Sequence, residues 1–221
     1  MNAELFSRPL SLAVALAIAG LLPFAFMTLT AFVKISTVLQ IVRGAIGAQS
    51  VPSNVVIMAL AGALTLLAMA PVGSRIAERA EPFLRPNADF TTAPWVMGML
   101  GAARDPLRDF LKVNGSPKER ARFHEIAKAA RQPAERANVQ ADDFVVLVPA
   151  FVVSELLEAF ALGFAIYLPF LIIDLVVANV LLALGMQMLS PTQVSLPFKL
   201  LLFVAIDGWG ILAQALVAGY R

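Results

Sequence analysis

The charges of this chain are unevenly placed, and that most limits what it can fold into. Of its 32 charged residues, 22 lie between Gly73 and Asp143 and ten are spread over all the rest. The middle 71 residues are thus about 31% charged and the flanks about 7%, against roughly 25% in ordinary soluble domains. Two apolar blocks bracket one water-soluble insert. A single soluble core is excluded, and so is a disordered chain, because 59% of the residues are hydrophobic. The expected organisation is an N-terminal apolar hairpin over residues 1–72, a hydrophilic helical domain over 73–143 and a C-terminal apolar block over 144–221.

The first apolar run, Leu10 to Val33, carries no charge over 24 residues, and a spanning helix needs about 20. Arg8 ahead of Leu10–Leu22 also suits a secretory signal peptide. The apolar part of such a peptide stops at about 7–15 residues, so the run is read as a retained helix, kinked at Pro23. Helical spacing continues through Lys34 and Gln40 to Arg43 before Gly44, Gly47 and Pro52 break it. Ser53 or Asn54 caps the next helix, expected over Val55–Val72. The two helices form a hairpin with Lys34, Arg43, Gly47, Pro52 and Asn54 at its tip. Short loops bearing Lys or Arg stay on the cytoplasmic side, which puts the tip inside and the insert outside. The insert's own 12 Lys and Arg point the other way, but the rule weakens beyond about 60 residues.

Within the insert the pattern is helical. Ser74–Glu81 continues from the preceding helix, and Pro82, Pro86 and Pro94 mark turns. Trp95–Val113 and Pro117–Arg131 place apolar residues three and four apart, as at Phe123, Ile126 and Ala130. The second apolar block runs from Phe144 to Leu189. As one straight helix it would measure about 69 Å, more than twice the hydrocarbon core, so it must bend, break at Gly163 or Pro169, or run beyond the bilayer. After the Ser190–Gln193 turn, Pro197 opens a last helix over Phe198–Ala218. The fold class is an all-α membrane protein with two N-terminal and two C-terminal hydrophobic helices and a helical insert.

Catalytic chemistry has little to work with. Net charge is only +2 and the basic residues are mixed with acids, which does not suit nucleic acid. Zero cysteines exclude disulfides, thiolate metal sites and a Cys nucleophile. The single histidine, His124, sits between Arg122 and Glu125, where a solvated or locally paired side chain is the simpler reading than a metal ligand. No phosphate loop, nucleophile elbow or zinc-protease motif is present. The expectation is a chain with no enzyme activity, no metal and no cofactor.

The candidates for function are charges inside apolar segments, each costing roughly 2.5–3.5 kcal/mol at a helix centre. They are Glu155, Glu158, Asp174, Lys199 and Asp207. One reading is a proton or ion relay; the other is pairing that holds helices or subunits together. Glu155 and Glu158 lie three apart on one face and repel unless a cation meets them. Lys199 is the only basic residue of the C-terminal block before Arg221, so a Glu155–Lys199 pair is the economical solution. The second candidate is Gly185-Met186-Gln187-Met188-Leu189. Methionine is unbranched and polarizable and closes softly around varied shapes. An isolated Met pair at a helix end is more simply packing, yet repeated around a ring of subunits it makes an apolar gate.

Longer passages resemble a known family. They are Met27-Thr28-Leu29-Thr30-Ala31-Phe32, Val38-Leu39-Gln40-Ile41-Val42-Arg43, Gly47-Ala48-Gln49-Ser50-Val51-Pro52-Ser53-Asn54 and Phe151-Val152-Val153-Ser154-Glu155-Leu156. To these add Pro106 through Leu111, Leu168 through Val176, Leu184-Gly185-Met186, Leu196 through Leu200 and Asp207-Gly208-Trp209. The chain is similar over nearly its whole length, least between Ser74 and Pro94, to the FliP/SctR (YscR/HrcR) core export-apparatus proteins of bacterial type III secretion systems. The resemblance implies a ring of five copies in the inner membrane, joined by S-type and T-type export-apparatus subunits. Basal-body rings and an export platform come later, and unfolded proteins thread the pore. It implies a periplasmic insert, a pore gasket at Met186, Gln187 and Met188, and a Glu155–Lys199 pair between subunits. Many members have three methionines in the gasket, so Gln187 is a departure. Assembled members sit raised above the membrane plane. Flagellar members usually carry a cleaved signal peptide, so the retained helix favours the injectisome branch. The rival readings are a small transporter or ion channel relaying through Glu155, Asp174 and Asp207, and a poreless membrane scaffold. The two apolar halves show no inverted repeat, which weighs against the transporter.

Overall fold

The computed structural model describes residues 16–17, 20–48, 52–84 and 93–220, and among these there are helices and turns but no strand. In chain order the helices are α1 (Gly20–Leu29), α2 (Phe32–Ile46), α3 (Asn54–Ala68), α4 (Ala70–Ala80), α5 (Ala93–Asn114), α6 (Pro117–Ala129), α7 (Phe144–Ala183), α8 (Pro191–Ala205) and α9 (Gly208–Ala218). Short 3₁₀ turns follow α4 and α6. Among the described residues α7 alone is long and apolar enough to cross a bilayer, and up to four spans are available if each bent pair, α1 with α2, α3 with α4 and α8 with α9, counts as one.

Packing divides the chain into two units: residues up to Thr30 together with Met69–Ser154, and Ala31–Ala68 together with Glu155–Tyr220. These cuts fall at other places than the hydropathy boundaries near 72 and 143, because side-chain contact and charge density follow different rules. In the first unit, α4 turns its Val72 and Ala80 inward, at helical spacing, and packs against α5. Arg79 bonds Asp105 at 2.7 Å, and the Trp95 indole donates to the Phe83 carbonyl at 3.0 Å. The rings of Phe110 and Phe151 lie 5.5 Å apart, bringing the start of α7 into this core. Pro117 opens α6, with Glu119 in its first turn and Lys128 in its last, matching the helix dipole. His124 meets the Val139 carbonyl at 3.0 Å, a local partner within the insert.

The second unit is built on the α2–α3 hairpin. Ile35, Val38, Leu39, Val42, Ala45 and Ile46 form one buried stripe on α2. Facing stripes come from Ile57, Ala61 and Leu64 of α3 and from Leu212 and Leu216 of α9. Gly47 ends α2 in the left-handed region, φ 82°, which glycine enters without strain. Of the two candidate caps it is Ser53 that receives the Val56 amide, at 3.4 Å.

Four sequence expectations are corrected. The helix expected over Leu10–Val33 divides at Thr30–Ala31 and not at Pro23. Thr28 and Thr30 hydroxyls donate back to the carbonyls of Phe24 and Phe26, a bond that competes with the helix ladder. Residues 1–15 of that expectation, with Arg8, lie outside the described residues, as do Gln49–Val51 and Pro86. The helix expected to run on from Val55 to Glu81 divides at Met69, because Pro71 in the first turn of α4 cannot accommodate the carbonyl four residues back. The third correction concerns α7, which breaks at neither Gly163 nor Pro169 and runs 40 residues, about 60 Å. Gly163 serves close packing instead: a Cβ there would overlap the Ile41 side chain. Core contacts at Gly163 and Phe170 flank Pro169 and carry the helix past it.

The fourth is the last helix, which opens at Pro191, passes Pro197 and bends by 59° between α8 and α9. Asp207 makes the bend in the left-handed region, φ 52°, which Asp tolerates better than most residues. Gly208 then lets the Phe203 ring lie against its backbone, with Trp209 edge-on to Phe203 at 5.1 Å.

Candidate functional site

The C-terminal part of α7 is almost bare. Its inward stripe, Glu155, Ala159, Gly163, Ile166 and Phe170, repeats at three- and four-residue spacing, while Phe160, Phe164, Ile172, Leu175 and Val180 are exposed. An apolar helix surface of this extent needs lipid or neighbouring protein to cover it. The helix stops in a Schellman motif. Gly185 sits at φ 74°, its amide bonds the Leu182 carbonyl at 3.0 Å, and the Met186 amide bonds that of Leu181 at 2.9 Å. Glycine here is required by the left-handed turn. The chain then reverses through Met186, Gln187 and Met188 and enters α8 at Pro191. All three side chains are exposed, and Met188 is 98% exposed. Two methionines and a glutamine are held out from the end of an apolar helix on a turn whose backbone bonds are its own.

Two buried charge clusters lie in the same unit. In the first, Glu155 is 0% exposed and accepts from Lys34 Nζ at 3.2 Å and from the Tyr220 hydroxyl. Lys34 also reaches Glu158 Oε2 at 2.8 Å, and its ammonium lies 4.2 Å from the centre of the Tyr220 ring. The Tyr220 oxygen is 3.2 Å from the Ala31 carbonyl. One cation thus answers the two carboxylates that the sequence marked as repelling. In the second cluster, Lys199, 2% exposed, donates to Asp174 Oδ2 at 2.6 Å and to the Ala45 carbonyl at 3.1 Å. Ser195 donates to the other oxygen of Asp174.

The sequence-predicted residues therefore separate. Glu155 and Lys199 do not meet within the chain, since each has another counter-charge; a bond between them would be one between chains. Lys34 does not stand at the hairpin tip. It lies in the first turn of α2, buried, at the end of the helix away from Gly47. Arg43 is in the last turn and lines a shallow groove with Gln40, Gly44, Gly47 and Ala48. Pro52 is half-buried and Asn54 is the exposed first residue of α3. Glu158 is largely exposed although bonded, Asp174 is half-buried, and Asp207 is exposed at its bend with its carboxylate over Gly210. Sequence reasoning missed Tyr220 and Ser195. Ser195 is buried and Tyr220 half-buried, and a polar group so placed wants a partner, but neither burial is legible locally. Among the described residues no cluster of three His, Asp or Glu side chains could hold a metal ion.

Known proteins match this chain over nearly its whole length. Residues 15–216 match the model of the FliP family. The chain is 44% identical, over 98% of both chains, to the hypersensitivity response secretion protein HrcR of Ralstonia nicotianae. It is 41% identical, over 96% of both, to the Yop proteins translocation protein R of Yersinia pestis. To the virulence protein YscR of Salmonella typhimurium it is 39% identical, over 96% of this chain and 97% of that one. Matched by the family's model over residues 15–216 and by such relatives over nearly its whole length, the chain belongs to the FliP family.

Proposed function

We propose that this chain is a pore-forming subunit of a type III secretion export gate, passing unfolded proteins across the bacterial inner membrane. Membership of the family and the relatives' names support a component of the secretion apparatus, a structural part and not an enzyme. The observation that carries the finer reading is the turn at Met186–Met188, whose two Met side chains are exposed among the described residues, Met188 almost fully. Five such turns around an axis would close a channel at rest, and flexible Met side chains would part around an extended polypeptide. Gln187 puts an amide at one level of that seal unless it turns from the axis. No nucleotide motif is present in the sequence, so the energy for transport comes from elsewhere.

In this reading the copies form a ring of five with S-type and T-type subunits, and the insert faces the periplasm. The exposed face of α7 is covered by neighbours as much as by lipid. The relatives include proteins named for Yop translocation and for the hypersensitivity response, which supports the injectisome branch. Glu155 and Lys199 pair between copies only if the bonds to Lys34 and Asp174 are exchanged or shared. Charge reversal decides that: Lys199→Glu blocks assembly and added Glu155→Lys partly restores it, whereas normal assembly of the single variant removes the pair.

The gate itself is tested by ion leakage through the assembled complex. Met186→Ala with Met188→Ala should raise the leak while the complex still assembles. An unchanged leak would overturn the gasket.

A further inference from the structure

The two helices on either side of the Met turn meet at defined rungs. Phe170 of α7 faces Phe203 of α8, ring centres 6.3 Å apart and both buried. One turn nearer the Met turn, Asp174 meets Lys199 at 2.6 Å. One turn closer still to the Met turn on α8, the Ser195 hydroxyl bonds the same carboxylate. Both oxygens of Asp174 are thereby engaged by α8, and Lys199 is also fixed to the C-terminal end of α2 through the Ala45 carbonyl at 3.1 Å. A residue at Gly47 would bring its Cβ within 3.9 Å of the Lys199 nitrogen and 3.6 Å of Thr192, so the hairpin turn closes over this cluster as well. Beyond Asp174, α7 continues to Ala183, roughly 14 Å at 1.5 Å per residue. Most side chains of that stretch are exposed, Leu181 excepted, and Gly185 has no neighbouring atom within 4 Å of where a Cβ would be.

We propose that Asp174, Ser195 and Lys199 form a clasp that joins the two arms of the Met turn. The gate then yields by movement of the turn beyond the clasp, with the arms held together. The proposal rests on the gate reading above and adds to it a fulcrum and three positioning residues. The physical ground is the contrast along the arms. At the clasp a carboxylate and an ammonium are bonded in an apolar surrounding, where separating them leaves each charge without a partner. Past the clasp the turn's backbone bonds are its own and most side chains are exposed, so it deforms first. A passing polypeptide pushes on the Met side chains and flexes the tip, and the clasp returns the turn to its closed position.

The absence of cysteine in the chain makes a direct test possible. In the assembled complex, Ser195→Ala should raise the ion leak about two- to tenfold, the factor corresponding to one lost hydrogen bond, with assembly and export retained. Ser195→Thr, which keeps the hydroxyl, should leak like the parent. An unchanged leak in Ser195→Ala overturns the clasp. In a second arm, Asp174→Cys with Ser195→Cys should leak when reduced; on oxidation the introduced disulfide should restore the seal while protein export continues. Export that stops on oxidation and resumes on reduction would show that the arms part at this point, and the proposal falls. Met186→Ala with Met188→Ala in the same assay separates the two failures. If that pair leaves the leak unchanged the gate reading fails, and if it leaks while Ser195→Ala does not, the clasp fails alone.

Discussion

Ion pairs in the insert and ion pairs in the hairpin unit use the same chemistry at opposite ends of the solvent scale. Arg79–Asp105 and Lys112–Asp142 are short, at 2.7 and 2.6 Å, with both partners one-third to one-half exposed. Lys34–Glu155 is longer, at 3.2 Å, with side-chain exposures of 5% and 0%. Distance would rank the surface pairs first; solvent reverses the order. Water and salt screen an exposed pair to little net worth, whereas a buried charge that loses its partner has nothing to replace it. The contrast explains how a chain with only ten charges in its flanks can afford to bury several of them: each is answered from a distant part of the sequence.

The largest effect is expected from Lys34→Met, which strands the buried Glu155. It should cost about 3–5 kcal/mol, seen as lost accumulation and faster proteolysis of the purified chain in detergent. Adding Glu155→Leu should recover most of that loss, since an apolar pair of similar volume fills the site without unpaired charge. If the single change is harmless, the pair is not buried as described. Tyr220→Phe comes next, removing the hydroxyl that donates to Glu155, with an expected cost of about 1–3 kcal/mol in chemical denaturation. A smaller effect is predicted for Lys112→Ala, below about 1 kcal/mol and erased by molar salt, when the thermal unfolding of full-length protein is compared at two ionic strengths.

The smallest effect is a pH dependence. The hydrogen bond from Arg79 holds the Asp105 carboxyl below its ordinary 3.8, and that from Lys112 does the same for Asp142. A carboxyl lowered by folding contributes stability that is present above its unfolded value and lost as pH falls through the folded one. Amide exchange along α4 and α5 should therefore be level from neutral pH down to about 4 once corrected for intrinsic rates, and protection should fall only below that. Loss of protection near pH 6 would place other groups in control.

Much of the architecture was legible because charge density and helical spacing are local properties. The insert with its α5 and α6, the hairpin turn at Gly47 and the turn after Leu184 could be read from short windows. What stayed hidden depends on contacts across the chain. Lys34 was placed at the tip by its nearness to Arg43, yet its partners are 121 and 124 residues away. Gly163 and Pro169 carry the composition of a break, but the packing of Ile41 and Phe203 on α7 decides otherwise. Thr30, Met69 and Asp207 end helices through a back-bonded hydroxyl, a following proline and a left-handed turn, signals weaker than a proline inside an apolar run. Of the candidate site, the Met turn was visible as a motif. The partners of Glu155 and Lys199 were not, because economy of charge within one segment ignored the cation on α2.

That this chain works as one of several copies around a channel is tested most directly by the mass of the intact complex, purified in gentle detergent and measured under native conditions. The account predicts five copies of this chain together with smaller partner subunits. A monomer or dimer as the only species would contradict it and return the buried carboxylates to the relay reading.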